Sequence, residues 1–382
     1  MQLTQGVMDV PALDIAFSEQ ERRIIMERID DCLSRGALSQ GRYVQELEER
    51  FARYVGVTHA IAVNSGTSAI EAVMRVLEVK GQEVLVPANT FIATASSVLF
   101  AGGHVRLVDI DPRTFSVSLA EIKKQATSRT RGVIIVHIGG IVTPEIEEIR
   151  QWCDEQGLWL FEDAAHAHGS RMAGKGAGAF GIAGSYSFFA TKIITSGEGG
   201  IIVTNDHSMA EKLRMFRNHG KPQPWETYHT SLGNNYRMSD ITATIALTQF
   251  ERLDAIIEQR EAIANRYTSF FTKNLPDFEI VMPQDRCSWY KYIVIVPLDV
   301  DSSDLKDRLK EKGVSLQGEV YATPLHRQPI AASLQFSGEY PLADDYCRRH
   351  ICLPIYPNLT DQQIDYVLAV FLSVVAELRG QQ

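Results

Sequence analysis

Short apolar runs alternate with helical stripes through the first two-thirds of the chain. This alternation limits the fold more than any single motif. The runs are Ala60 to Asn64, Glu83 to Pro87, His104 to Asp109, Gly132 to His137, Leu158 to Asp163, Gly184 to Phe189 and Gly200 to Thr204. Most are apolar throughout rather than at every second residue, as in strands covered on both faces. Between the first two, Ile70, Val73, Met74 and Leu77 stand at helical spacing. Strands alternating with helices predict a parallel α/β sheet.

Two amphipathic helices, Gln20 to Arg35 and Val44 to Tyr54, precede this core and are separated by a segment running from Gly36 to Gly41. After the core, a helical period runs from Ile241 through Tyr267 to about Phe271, and Pro276 closes it. The tail holds a strand at Tyr292 to Pro297, a helix at Ser303 to Lys312 and a last helix from Thr360. A chain of 382 residues is long for one core. The expected division lies near residue 255, inside the long helix.

A net charge of −9 with no basic stripe argues against nucleic acid. Met1 to Pro11 lacks the pattern of a secretory leader, and Val367 to Ala376 is too short to span a bilayer. The five cysteines are scattered without a CxxC pair, so they read as buried or incidental thiols, and no metal is expected. The expectation is a cytoplasmic protein.

The chemistry-bearing residues fall just past strand ends, where open parallel sheets bind ligands. Asn64-Ser65-Gly66-Thr67-Ser68 joins a strand to the stripe helix. Free N–H groups at such a helix start suit a phosphate. The same segment also reads as a capping box of Ser68 with Glu71. Phe91 follows the second strand and either stacks on a flat ring or joins the core. Asp163 closes Leu158-Trp159-Leu160-Phe161. It either pairs with a protonated ring nitrogen or caps a helix beginning at Ala164. His166 contacts a ligand or packs structurally, and Glu162, facing the other side of the strand, receives no role.

Lys192 sits five residues after Ser187 and shortly before Gly197-Glu198-Gly199-Gly200. Among Phe189, Ile193 and Ile194, its amine is expected to be partly desolvated and therefore easier to deprotonate. A surface lysine lying along apolar neighbours is the alternative. An amine that can form an imine, a serine able to hold a phosphate and a carboxylate for a pyridinium are the parts a pyridoxal-phosphate enzyme must supply.

These motifs give the chain its resemblance to the DegT/StrS-type sugar aminotransferases, within fold type I of the pyridoxal-phosphate enzymes. The resemblance runs from Ser34-Arg35-Gly36-Ala37-Leu38 through Ser65-Gly66-Thr67, Glu162-Asp163-Ala164-Ala165-His166 and Ser187 with Lys192. It continues to Arg217-Asn218-His219-Gly220, Gly233-Asn234-Asn235-Tyr236-Arg237 and Pro324-Leu325-His326. It implies a large cofactor-binding domain over residues 1–255, with a mostly parallel seven-stranded sheet flanked by helices. A smaller C-terminal α+β domain follows over residues 256–382.

By the same resemblance, Lys192 holds pyridoxal 5′-phosphate and moves the proton. Asp163 pairs with the pyridine nitrogen, Phe91 stacks on the ring and His166 touches the cofactor. Gly66, Thr67, Ser68 and Ser187 form the phosphate cradle, and Asn235 reaches the phosphate of a neighbouring subunit, so a homodimer with shared sites is implied. Leu38 and His326 match substrate-side positions; Arg217 and His219 read as structural.

Family members that dehydrate sugars carry histidine in place of the imine lysine, which Lys192 argues against. The implied reaction moves an amine from glutamate, through pyridoxamine 5′-phosphate, to a keto sugar on a nucleotide carrier. A 4-keto-6-deoxy sugar ranks first, C3 amination second and a keto-cyclitol third. A cofactor-binding regulator without catalysis is the other class of reading. A nicotinamide oxidoreductase is rejected, because the stretch Gly174 to Gly178 is not a strand–turn–helix nucleotide motif.

Overall fold

Seven strands build the central sheet of the computed structural model, which describes residues 7–380 apart from 224, 335 and 337. The first six residues of the segment inspected for a leader lie outside that range. The strands of the sheet are β1 (His59–Val63), β2 (Glu83–Pro87), β3 (His104–Val108), β4 (Thr130–Val136), β5 (Trp159–Asp163), β8 (Ala183–Ser187) and β9 (Gly200–Thr204). A two-residue hairpin, β6 (Arg171–Met172) with β7 (Lys175–Gly176), interrupts the series. Gly174 turns that hairpin at φ +79°, so the glycine-rich stretch is a tight turn with short strands on either side.

The order across the sheet is β1-β9-β8-β5-β4-β2-β3. Pairings from β8 to β3 are parallel, while β9 lies antiparallel between β8 and β1. Thus β9 alone runs against the other six, and those six end on one edge. Every residue of β2, β8 and β9 is buried, which accounts for the apolar runs over residues 84–87 and 200–203. A second sheet joins β10 (Glu279–Ile280), β11 (Tyr292–Ile295) and β12 (His350–Leu353), all antiparallel, with the helices Ser302–Glu311 and Asp361–Gly380 in the same part of the chain.

The long helical period after the core is two helices, Asp240–Phe250 and Leu253–Asn274, broken at Glu251 and Arg252. The first packs on the helices Glu19–Arg35 and Arg42–Val55. The second sends the Tyr267 hydroxyl to the Pro354 carbonyl and the Arg260 guanidinium to the carbonyls of Trp289 and Ile355. Apolar spacing continues through both, so periodicity could not show a two-residue turn. Asp240 pins the N-terminal helices: it accepts from Val44 N at 2.9 Å, and its own N–H donates to Leu38 O. A Cβ at Gly41 would stand 2.5 Å from its carboxylate, which is why a glycine precedes that helix.

Candidate active site

The common strand edge opens into a cavity of about 380 Å³ that brings together residues far apart in sequence. Gly66, Thr67, Phe91, Asp163, His166, Ser187 and Lys192 all line it, as the sequence predicts.

One end is a cradle. Ser65, not Ser68, caps the helix Gly66–Val76: its hydroxyl accepts from Ser68 N at 3.0 Å. The expected Ser68–Glu71 box does not form, because Glu71 is drawn to Arg75 and to the Tyr236 hydroxyl instead. Ser68 is turned to the Ser65 hydroxyl at 2.8 Å and does not line the cavity. The N–H groups of Gly66 and Thr67 occupy the helix start, where no intrahelical acceptor exists. Ser187 crosses just beside them, so close that a Cβ at Gly66 would stand 2.8 Å from its side chain. Ser187 Oγ accepts from Phe189 N, which leaves its own proton available for a ligand.

At the other side, β5 ends on two carboxylates with opposite surroundings. Asp163 accepts from Thr94 Oγ1 at 2.9 Å and from Ala165 N at 3.2 Å; a turn rather than a helix follows it. Burial pushes its pKa up, making it a weaker acid, against the pull of Thr94, Ala165 and Lys192. Such a carboxyl is ready to ionise beside an arriving cation. Glu162 faces the opposite side, where it pairs with His137 and accepts from the N–H groups of Gly178, Phe180 and Gly181. It is a buried anchor that the sequence reading passed over.

Lys192 lies in the loop between the antiparallel strands β8 and β9. Burial lowers its ammonium to about 8, Asp163 opposing the shift and Lys291 adding to it. Its Nζ sits 4.9 Å from the centre of the Tyr290 ring. His166 stacks on the same ring at 4.2 Å, and its Nε2 lies 3.3 Å from the Tyr321 hydroxyl. Burial holds His166 well below its ordinary range, so it is neutral, and its Nδ1 has no partner among the described residues.

Phe91 is 57% exposed over the cavity, which rules out the core alternative. Leu38, Asn235 and His326 do not line the cavity. Leu38 is exposed, and Asn235 is exposed and bridged to Asn218. His326 is bonded to Asp344 at 2.9 Å. Arg217 binds Glu48 and the Ala62 carbonyl, holding β1 to the helix Arg42–Val55. His219 has a left-handed backbone, and its carbonyl lies 2.8 Å from His229 Nδ1.

Thr94, Ser185, Tyr290 and Tyr321 also line the cavity and escaped the sequence reading. Thr94 was findable, one helical turn past Phe91. Tyr290 and Tyr321 come from the distant second sheet region, and no local pattern marks them.

The profile of the DegT/DnrJ/EryC1/StrS aminotransferase family matches residues 19–372. A pleiotropic regulatory protein of Geobacillus stearothermophilus is 36% identical over 94% of this chain and 97% of its own. GDP-perosamine synthase of Vibrio cholerae is 31% identical over 93% and 96%. The crystal structure of ntda from Bacillus subtilis with bound cofactor PMP superposes with a TM-score of 0.89. It is 26% identical and covers 98% of this chain and 87% of that one.

Proposed function

The chain belongs to the DegT/DnrJ/EryC1/StrS aminotransferase family, and we propose that it moves the amino group of glutamate to a nucleotide-linked keto sugar. A 4-keto-6-deoxy sugar is the favoured acceptor, supported by the likeness to GDP-perosamine synthase. The observation that carries the reading is the placing of Lys192, Asp163 and the Gly66–Ser187 cradle around one cavity.

The residues fit pyridoxal 5′-phosphate. His166, whose Nδ1 has no partner among the described residues, lines a cavity whose far end presents free helix N–H groups. When bound, the cofactor supplies an electron sink for the carbon that carries the amine.

Each residue then has a task. Gly66 and Thr67 N–H, with the Ser187 hydroxyl, hold a phosphate. Asp163, fixed by Thr94 and Ala165, keeps a ring nitrogen protonated, and in a buried site this electrostatic support is the largest contribution. Phe91 covers one ring face. Lys192, near 8, exists in both protonation states around neutral pH and moves the proton at the reacting carbon. Asn235 serves the phosphate of a partner subunit in a homodimer.

A second reading, a regulator that binds the cofactor without turnover, is supported by the name of the Geobacillus relative. One experiment separates the two. Purified protein loaded with cofactor and given L-glutamate releases stoichiometric 2-oxoglutarate if it is a transaminase. Recovery of the imine absorbance with a panel of nucleotide 4-keto and 3-keto sugars then identifies the acceptor. No 2-oxoglutarate release overturns the transaminase reading.

A further inference from the structure

His166 is gripped on the cavity wall by three residues from the later part of the chain. Ser288 Oγ donates to its carbonyl at 2.6 Å, and two residues on, the Tyr290 ring stacks on its imidazole with the planes 26° apart. The third contact is the Tyr321 hydroxyl, 3.3 Å from Nε2. Both tyrosines line the cavity together with His166, Phe91 and Asp163, so these contacts belong to the site itself.

Tyr321 is anchored in turn. The buried Asn89 spends both ends of its amide on one peptide: Nδ2 donates to the Val320 carbonyl at 3.0 Å, and Oδ1 accepts from Tyr321 N at 2.9 Å. His350 Nε2 accepts from Val320 N at 3.0 Å, and Leu325 N donates to the Ala88 carbonyl at 2.8 Å. Asn89 stands two residues before Phe91, so one loop past β2 sets Phe91 over the cavity and Tyr321 in its wall. The Tyr321 ring centre lies 6.1 Å from that of Phe91 and 6.2 Å from that of His166. Packing alone would be met by a phenyl ring. The hydroxyl adds a polar contact, and among the described residues its one partner is His166.

The proton in this pair has one favoured place. Burial, with Tyr290 and Asp163 nearby, pushes the Tyr321 hydroxyl well above its ordinary range, so it keeps its proton. Burial and Lys192 hold His166 neutral. The bare nitrogen of a neutral imidazole is a better acceptor than a phenol oxygen, so the Tyr321 O–H donates to Nε2 and the ring proton sits on Nδ1. We propose that Tyr321 is a positioning residue, whose hydroxyl fixes the tautomer and tilt of His166 and thereby the wall against which the cofactor ring is held. This rests on the transaminase reading and deepens it.

The test is Tyr321→Phe, which keeps the ring and removes the hydroxyl, measured alone and on a His166→Ala background. Equilibrium dialysis gives the affinity for pyridoxal phosphate, and a pH titration of the imine absorbance gives its midpoint. Loss of one buried hydrogen bond weakens cofactor binding by roughly 3- to 10-fold and moves the midpoint by about half to one pH unit. Both changes vanish on the His166→Ala background, because the hydroxyl acts through the imidazole. That background still loads cofactor through Lys192, Asp163 and the cradle, and a far-ultraviolet circular dichroism spectrum matching wild type excludes misfolding of Tyr321→Phe. Changes of equal size in both backgrounds mean that Tyr321 touches the ligand directly, and they overturn the proposal. So does an unmoved midpoint in Tyr321→Phe, whatever the affinity, because a packing role alone would leave it unmoved. Wild type that takes up cofactor but releases no 2-oxoglutarate refutes the transaminase reading instead, and the two binding readouts decide the role of Tyr321 in either case.

Discussion

Glu162 and Asp163 are neighbours on one strand, yet their carboxylates serve opposite sides of the sheet. Glu162 meets His137 and three backbone N–H groups, while Asp163 receives two donors and faces the cavity. The side-chain alternation of a strand forces this split. One carboxylate holds the turn after the β6–β7 hairpin, and the other is left for a ligand.

Substituting Glu162→Gln therefore costs stability rather than chemistry. The amide NH₂ would confront backbone donors, leaving buried groups unsatisfied at about 1–3 kcal/mol each. Urea unfolding should show a lower midpoint, with the slope unchanged.

Asp163→Asn should do the reverse. Turnover falls by about 10²- to 10³-fold, since a neutral amide cannot keep the ring nitrogen protonated. Burial raises the Asp163 pKa in the cofactor-free fold, so stability is lost as pH rises above the unfolded value. The cofactor-free variant should accordingly melt no lower than cofactor-free wild type at pH 7, as scanning calorimetry can check.

The Lys192 amine must be neutral to attack the cofactor aldehyde. With its ammonium near 8, the rate of cofactor uptake by the cofactor-free protein should rise with pH and level off above that value. Stopped-flow absorbance after mixing with pyridoxal phosphate measures the profile. Because Lys291 adds to the depression, Lys291→Met should move the inflection upward.

Gly66→Ala probes the cradle. The added methyl meets Ser187 at 2.8 Å, so either Ser187 or the helix start must shift. Overpacking of this kind weakens cofactor affinity by about tenfold. Equilibrium dialysis against pyridoxal phosphate reads it directly.

Much of this was legible in the sequence because local rules suffice for it. Most of the sheet strands are buried on both faces, so they read as largely apolar runs, and the segments at their ends carried Asp163, Ser187 and Gly66. The break at Glu251–Arg252 was not legible, since both flanking helices keep apolar faces in step. The capping of the helix after β1 was misread, because Ser65 and Ser68 both satisfy the local rule and only packing of Glu71 against Tyr236 decides. Tyr290 and Tyr321 were invisible for a different reason: a residue that reaches a cavity from another sheet leaves no periodic trace.

The reversed direction of β9 governs how far the reactive amine can travel. A helical crossover after β8 would have sent the chain across a face of the sheet and left a long span free to swing. Here the chain returns beside β8 through the loop 188–199, whose base is closed by Phe188 N bonded to the Gly199 carbonyl at 2.8 Å and Ser196 N to the Phe188 carbonyl at 3.0 Å. Lys192 is thus stitched down on both flanks, and side-chain rotation alone must carry its nitrogen between partners.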